Sequence, residues 1–323
     1  MRRRELLLLP AAAAIAWNPA LAGVETPRIG FVQMGSRQEN QSLLDAFREN
    51  LAALGWTDGS NIAILDRSAE ERTERLLGII EKLIGAGVAV LVTLGSPATL
   101  VAARASAATP IVLVGVDDPV ALGVAQSLAH PGGNVTGFSL SSSELIAKRL
   151  QLLQELVPRL RRLAVIVRGD PGLEQRLQDI RRRAAEIGIE PVMLEAATGT
   201  ALRLTFARLR AERSEALYVA SGPLGPVKRP QLIALALESG LPAIYSFRVF
   251  AVEGGMMSFG ADYGDLFRHA AGSVAKILAG AKPADLAIEP PRKFDLTVNL
   301  KTAGALGLEI PPSILARGDE VIE

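Results

Sequence analysis

Short apolar runs of strand length alternate with helix-length amphipathic segments along nearly the whole chain, and this alternation constrains the fold more than any other feature. In the first half the runs are "RIGFVQM" (28–34), "NIAILDRS" (61–68), "VAVLVTL" (88–94), "PIVLVGV" (110–116) and "NVTGFSL" (134–140). The third is too apolar for a half-exposed strand and reads as one buried on both faces. Between the runs lie segments such as "NQSLLDAFRENLAAL" and "ERTERLLGIIEKLI", whose apolar residues recur at helical spacing. Strand and helix in strict alternation imply parallel sheets covered by helices.

The second half repeats the scheme with "RLAVIVR" (162–168), "EPVMLEA" (190–196), "EALYVAS" (215–221) and "PAIYSF" (242–247). Two series of this length predict an α/β protein of two doubly wound parallel-sheet lobes rather than one wide sheet. "HPGGNVTG" (130–137) stands where the first series ends and marks a first crossover. The pattern then turns irregular, with strand-like "GMMSFGA" (255–261), a long helix from Asp262 to Leu278, and "KFDLTVNL" (293–300). These are read as a visit to the first lobe and a return. The expected N-terminal lobe is thus 28–138 plus 257–285, and the C-terminal lobe 139–256 plus 286–323.

The first 22 residues combine three arginines, an apolar segment from Leu6 to Trp17, and small residues at Ala20 and Ala22. That is the pattern of a secretory signal cut after Ala22. The apolar run, broken by Asn18 and Pro19, falls short of the roughly 20 residues a membrane span needs. The sequence contains no cysteine, which excludes disulfides, thiolate metal sites, cysteine nucleophiles and a lipid-modified cysteine. The expected location is therefore the periplasm, without a lipid anchor. His130 and His269 are the only histidines, too few and too far apart for a histidine metal site. No metal and no cofactor is expected.

With 35 basic and 34 acidic residues the net charge is +1, so no global field gathers nucleic acid. "RLRRL" (159–163) and "RRR" (181–183) read as solvated helix faces. Enzyme signatures are absent: no Gly-x-Gly-x-x-Gly follows the first strand, and there is no phosphate-binding loop ending in Gly-Lys-Ser/Thr and no Gly-x-Ser-x-Gly elbow. "VTLGSPAT" resembles a nucleophile turn only superficially, because neither histidine is placed as its base. A non-enzymatic protein is expected.

Ligands of open parallel sheets bind beyond the carboxyl ends of the strands. Those ends carry Gly35 and Ser36, then Ser96, Pro97 and Thr99, then Asp117 and Asp118, then Ser139, Asp170 and Ser221. "GSPAT" places Ser96 as an N-cap and Pro97 at the first helical position. With the backbone of Pro97–Ala98 and Thr99 they form an expected anion pole. Asp117, ending an apolar strand, either meets a ligand ammonium or serves as a capping or turn aspartate. Asp118 caps the segment that follows. Tyr245, Phe247, Phe250, Phe259 and Tyr263 fall in one 19-residue window; they form an aromatic wall for a flat ligand group or pack their own strands. Arg248 binds a second anionic group or pairs with a surface carboxylate. Asp262 heads the long helix and belongs to the same candidate set.

Several stretches together resemble a known family, the exported tryptophan/tyrosine-type substrate-binding proteins of ABC transporters. They are "ALGWTDGSNI" (53–62), "PIVLVGVDDPVALGVAQSLAHPGGNVTGFS" (110–139), "LPAIYSFRVFAVEGGMMSFGADYGDLFRHAA" (241–271), "KILAGAKPADL" (276–286) and "FDLTVNLKTAGALGLEIPPSILARGDEVIE" (294–323). The resemblance implies a type I periplasmic-binding fold, with three crossovers and a small-molecule ligand closed between the lobes by hinge bending. It also implies partners: an inner-membrane ABC permease with its ATPase, and a monomeric receptor. An aromatic amino acid would place its carboxylate near Ser96 and Thr99, its amino group near Asp117 and its ring near 245–263. "MGSRQEN" (34–40) and "SGPLGPVKR" (221–229) are expected to line the cleft. A sensory binding protein and an exported enzyme on a similar scaffold are the competing readings; a regulator would carry a DNA-binding helix-turn-helix where the signal lies.

Overall fold

The computed structural model describes residues 26–140, 142–167, 169, 171–195, 199–220 and 228–323. Strands β1 (Arg28–Gln33), β2 (Ala63–Ser68), β3 (Val88–Leu94), β4 (Ile111–Val116) and β5 (Val135–Ser139) build the first lobe with helices α1 (Gln41–Ala53), α2 (Leu76–Gly85) and α3 (Gly95–Ala105). The second lobe runs through α4 (Ser142–Leu156), β6 (Arg162–Val167), α5 (Leu173–Glu186), β7 (Glu190–Glu195), α6 (Gly199–Ala211), β8 (Ala216–Val219), α7 (Lys228–Glu238), β9 (Ala243–Tyr245), α8 (Arg248–Val252) and β10 (Met257–Ala261). The remainder comprises α9 (Tyr263–Leu278), β11 (Ile288–Glu289), β12 (Phe294–Asn299), α10 (Leu300–Ala305), α11 (Pro312–Leu315) and β13 (Glu320–Ile322).

Two sheets result, ordered β11-β5-β4-β3-β1-β2 and β13-β12-β10-β9-β8-β6-β7. Every pairing in the first is parallel; in the second, only β10 against β12 is antiparallel. This is the two-lobed α/β architecture that the alternation predicts. The order places β1 and β4 on either side of β3, and β8 between β6 and β9, so their carboxyl ends open toward one edge of each sheet.

The chain passes between the lobes after β5, after β10 and between β11 and β12. Two of these passages differ from the expected boundaries. Residues 257–261, assigned above to the N-terminal lobe, pair with β9 and β12 in the second sheet, and Met257 lies buried in that lobe's core. Residues 288–289, assigned above to the C-terminal lobe, pair with β5 in the first. An apolar strand-length run reports that a strand exists; which edge it joins depends on partners far away in sequence.

Helix α9 joins the first lobe because one of its faces, through Leu266, Phe267, Ala270, Ala271, Val274 and Ile277, is buried. Phe267 meets Phe31 of β1 and Phe47 of α1 at ring-centre distances of 5.4 and 6.5 Å. This aromatic trio fixes the head of α9 beside the ends of β3, β4 and β5. Among the described residues no helix is long and apolar enough to cross a membrane.

Candidate functional site

A cavity of about 920 Å³ lies between the lobes, at the upper end of the roughly 300–1,000 Å³ usual for small-molecule sites. The first lobe contributes Gly35 and Glu39 after β1, Ser96 and Pro97 after β3, Gly115 and Asp117 at the end of β4, and Tyr263 from α9. The second contributes Arg149 from α4, Arg176 from α5, Tyr218 and Ala220 from β8, Arg229 from α7, and Ser246, Phe247 and Arg248 after β9. Asp262, Lys293 and Asp295 wall it where the chain crosses.

Two ion pairs bridge the lobes across this cavity. Arg176 donates to Asp117 Oδ2 through Nη2 at 2.5 Å and Nε at 3.2 Å. Arg229, almost wholly buried, donates to Glu39 Oε1 in the first lobe at 3.0 Å and grips Glu253 in its own lobe through two bonds of 2.8 and 2.7 Å. Glu39 is aimed by Ser36, whose N–H and hydroxyl both donate to Oε2 while the Glu39 N–H donates back to the Ser36 hydroxyl. Burial works against the Arg229 charge, but Glu253 and Glu39 outweigh it and raise the pKa above the ordinary arginine value. Such bidentate pairs suit arginine.

Rings from both lobes meet at the rim. Phe247 and Tyr263 stand 5.6 Å apart between ring centres, and both line the cavity. The Tyr263 ring fits against Gly115, where an added Cβ would stand 2.8 Å from its hydroxyl oxygen. Burial, and then the neighbouring Asp117, push the Tyr263 pKa well up, against a lowering influence from Arg149. The hydroxyl is therefore a donor at neutral pH.

At the crossing strands Asp262 caps α9, accepting from the Asp265 N–H at 3.0 Å and from Lys293 Nζ at 2.9 Å. Burial alone would raise its pKa; Lys293, the Asp265 amide and Arg268 together bring it below the ordinary aspartate value. A carboxyl with a depressed folded-state pKa stabilises the fold above its unfolded pKa, and the contribution is lost as pH falls through the folded value. Asp262→Ala should therefore cost about 1 kcal/mol at neutral pH. In urea titrations at a series of pH values, its deficit against wild type should shrink on the acid side.

Of the residues singled out in the sequence, the cavity brings together Gly35, Ser96, Pro97, Asp117, Phe247, Arg248, Asp262 and Tyr263. Ser36 stands behind them, orienting Glu39. Helix α3 starts one residue before Ser96, with Gly95 at φ +81° making the turn, so Ser96 lines the cavity in the first turn without capping it. Thr99 is fully buried, its hydroxyl bonded to Thr93 and the Gly95 carbonyl. Asp118 accepts from the N–H groups of Val120 and Ala121. Ser139 is buried at the end of β5. Tyr245 stacks on Phe250 at 4.9 Å inside the second lobe, and Phe259 stacks on Phe294 at 6.0 Å; neither lines the cavity. Arg248 pairs with Glu320 at 2.7 Å. Asp170 and Ser221 lie outside the described residues.

Glu39, Arg149, Arg176 and Arg229 were not among the sequence candidates. The arginines sit on helices whose charged faces look like ordinary solvent-facing surface; the loops "MGSRQEN" and "SGPLGPVKR", both expected in the cleft, contain Glu39 and Arg229 without singling them out.

Comparison with known proteins agrees with this geometry. A curated tyrosine-binding protein of Clostridioides difficile (strain R20291) is 25% identical over 282 residues, spanning 87% of this chain and 81% of that one. A conserved domain protein from Vibrio cholerae superposes with a TM-score of 0.83 at 24% identity, covering 92% of this chain and all of the other. An ABC domain from Streptococcus pneumonia, solved in complex with L-Trp, gives 0.80 at 21% identity over 91% of this chain and all of that one. The family model for ABC transporter substrate binding proteins matches residues 29–322. Two lobes, a cleft walled by both and a family match over nearly all the described chain converge: this chain belongs to the ABC transporter substrate-binding proteins, a family whose task is ligand capture outside the cytoplasm rather than catalysis.

Proposed function

We propose that the protein is an exported, soluble receptor that captures an amino acid, in first place an aromatic one, and presents it to a membrane permease driven by an ATPase. The observation that carries this reading is the cavity itself, with charged groups of both signs from both lobes and the Phe247–Tyr263 ring pair at its rim. Opposite charges suit the two ends of an amino acid, and the rings suit an aromatic side chain. The names of the tyrosine-binding relative and of the L-Trp complex support the same ligand class. A ligand that touches both lobes favours the arrangement in which both sets of contacts are made, and a permease would recognise that arrangement. The signal expected over residues 1–22 lies outside the described residues; it supplies the export step.

Thermal unfolding of protein stripped of carried-over ligand by refolding tests the reading. A ligand at about 100 times its Kd adds about 2.7 kcal/mol, a Tm rise of about 4 °C for a chain of this size. L-tryptophan, L-tyrosine or L-phenylalanine should produce it, and the bound compound should be recovered intact. A rise confined to non-aromatic metabolites would overturn the ligand class, and conversion of the bound compound would overturn the receptor.

A further inference from the structure

Arg149 differs from every other cation on the cavity wall. Arg176, Arg229, Arg248, Arg268 and Lys293 each lie within ion-pair distance of a carboxylate. Arg149, only 5% exposed, has no carboxylate within that distance among the described residues. Its Nε donates to the Phe259 carbonyl at 2.7 Å and its Nη1 to the Tyr218 hydroxyl at 2.9 Å, and the guanidinium lies 5.7 Å from the centre of the Tyr218 ring. These contacts fix its orientation without balancing its charge. Nη2 has no hydrogen-bond acceptor among the described residues, and the residue lines the cavity. A buried cation without a counter-charge is costly and calls for an anion.

Two neighbours complete the arrangement. The Tyr263 hydroxyl, a donor, also has no hydrogen-bond partner among the described residues, and it lies close enough to both Arg149 and Asp117 to respond to their charges. Asp117 spends only Oδ2 on Arg176, which leaves Oδ1 as an acceptor. Resting on the receptor reading above, we propose that Arg149 is the anion anchor of the site: the ligand carboxylate binds Arg149 Nη2 on the second lobe and the Tyr263 hydroxyl on the first, and its ammonium turns to Asp117 Oδ1. Specificity for a free carboxylate thus comes from Arg149 and not from the end of α3 at Ser96. Arg149 belongs to α4 and Tyr263 to α9, so the carboxylate also ties one lobe to the other.

Isothermal titration of the refolded protein decides this, with L-tryptophan, L-tyrosine, L-leucine, L-glutamate and indole-3-propionate as carboxylates and L-tryptophanamide as the neutralised analogue. The best carboxylate should lose about 30-fold in affinity in Arg149→Gln, as expected for a charge-assisted hydrogen bond. L-tryptophanamide, weak on the wild type, should lose little further, because the variant removes an interaction it never makes. Tyr263→Phe should show a smaller loss of the same acid-specific kind and serves if Arg149→Gln does not fold. Equal losses for acid and amide would mark Arg149 as merely structural and overturn the proposal, as would full binding in Arg149→Gln with loss in Ser96→Ala. If indole-3-propionate alone binds, and depends on Arg149, the anchor stands and the amino-acid reading falls. If no carboxylate binds the wild type, both are overturned.

Discussion

Arg229→Met is expected to loosen the ion-paired arrangement of the lobes and weaken ligand binding at least tenfold. Arg229 is buried and holds Glu39 of the first lobe and Glu253 of the second. Removing one partner of a buried pair costs about 3–5 kcal/mol. Here the carboxylates left behind keep some solvent, with side chains 20% and 34% exposed, so about 2 kcal/mol is the fitting figure. Part of that belongs to the second lobe alone, through Glu253. Glu39→Gln separates the two contributions, since it weakens only the contact between lobes. Small-angle scattering should show a larger radius of gyration for both variants in the absence of ligand, and titration a raised Kd, because the binding-competent population has fallen. Unchanged scattering and unchanged affinity in both would mean that the bridge does not hold the lobes together.

The second large effect is expected at Gly115. This residue is the penultimate one of β4, at φ +74°, where the pairing with β5 shifts register between Val114 and Val116, and the Tyr263 ring occupies the space a side chain would need. Gly115→Ala meets two penalties: about 1–2 kcal/mol for a left-handed alanine, and about 1–3 kcal/mol for overpacking against the ring. The neighbouring atoms include the ring carbon Cε1 at 2.9 Å as well as the hydroxyl, so the tyrosine has to move as a whole. Denaturant unfolding should therefore show a loss of about 2–5 kcal/mol, and the displaced Tyr263 should weaken ligand binding as well. A variant of wild-type stability and affinity would show that the ring is not seated by this glycine. Gly115→Ala combined with Tyr263→Ala tests the cause, since removing the ring should return the overpacking share and leave only the backbone share.

Both effects lie on residues that local sequence patterns do not single out, and the division between what was legible and what was not follows from the range of each interaction. Strand and helix alternation is written in the spacing of apolar residues within each element, because burial of one face is a local demand. The two lobes, the turn at Gly95 and the placement of Ser96, Pro97 and Asp117 at strand ends could therefore be read directly. The aromatic window between 245 and 263 was legible only as composition: Phe247 and Tyr263 line the cavity, whereas Tyr245 stacks on Phe250 inside the lobe, because Tyr245 lies within β9 while Phe247 precedes α8 and Tyr263 opens α9, beyond the strand ends.

Tertiary structure alone decided which sheet β10 and β11 join and which charges meet. Arg229 and Glu39 are 190 residues apart, and Arg149 reaches a carbonyl 110 residues away. An arginine on a helix has the same local pattern whether it faces water or a cleft. Only the folding of two separate sheets against a common cavity distinguishes these cases, by bringing some of those arginines to carboxylates of the other lobe and leaving Arg149 with none among the described residues.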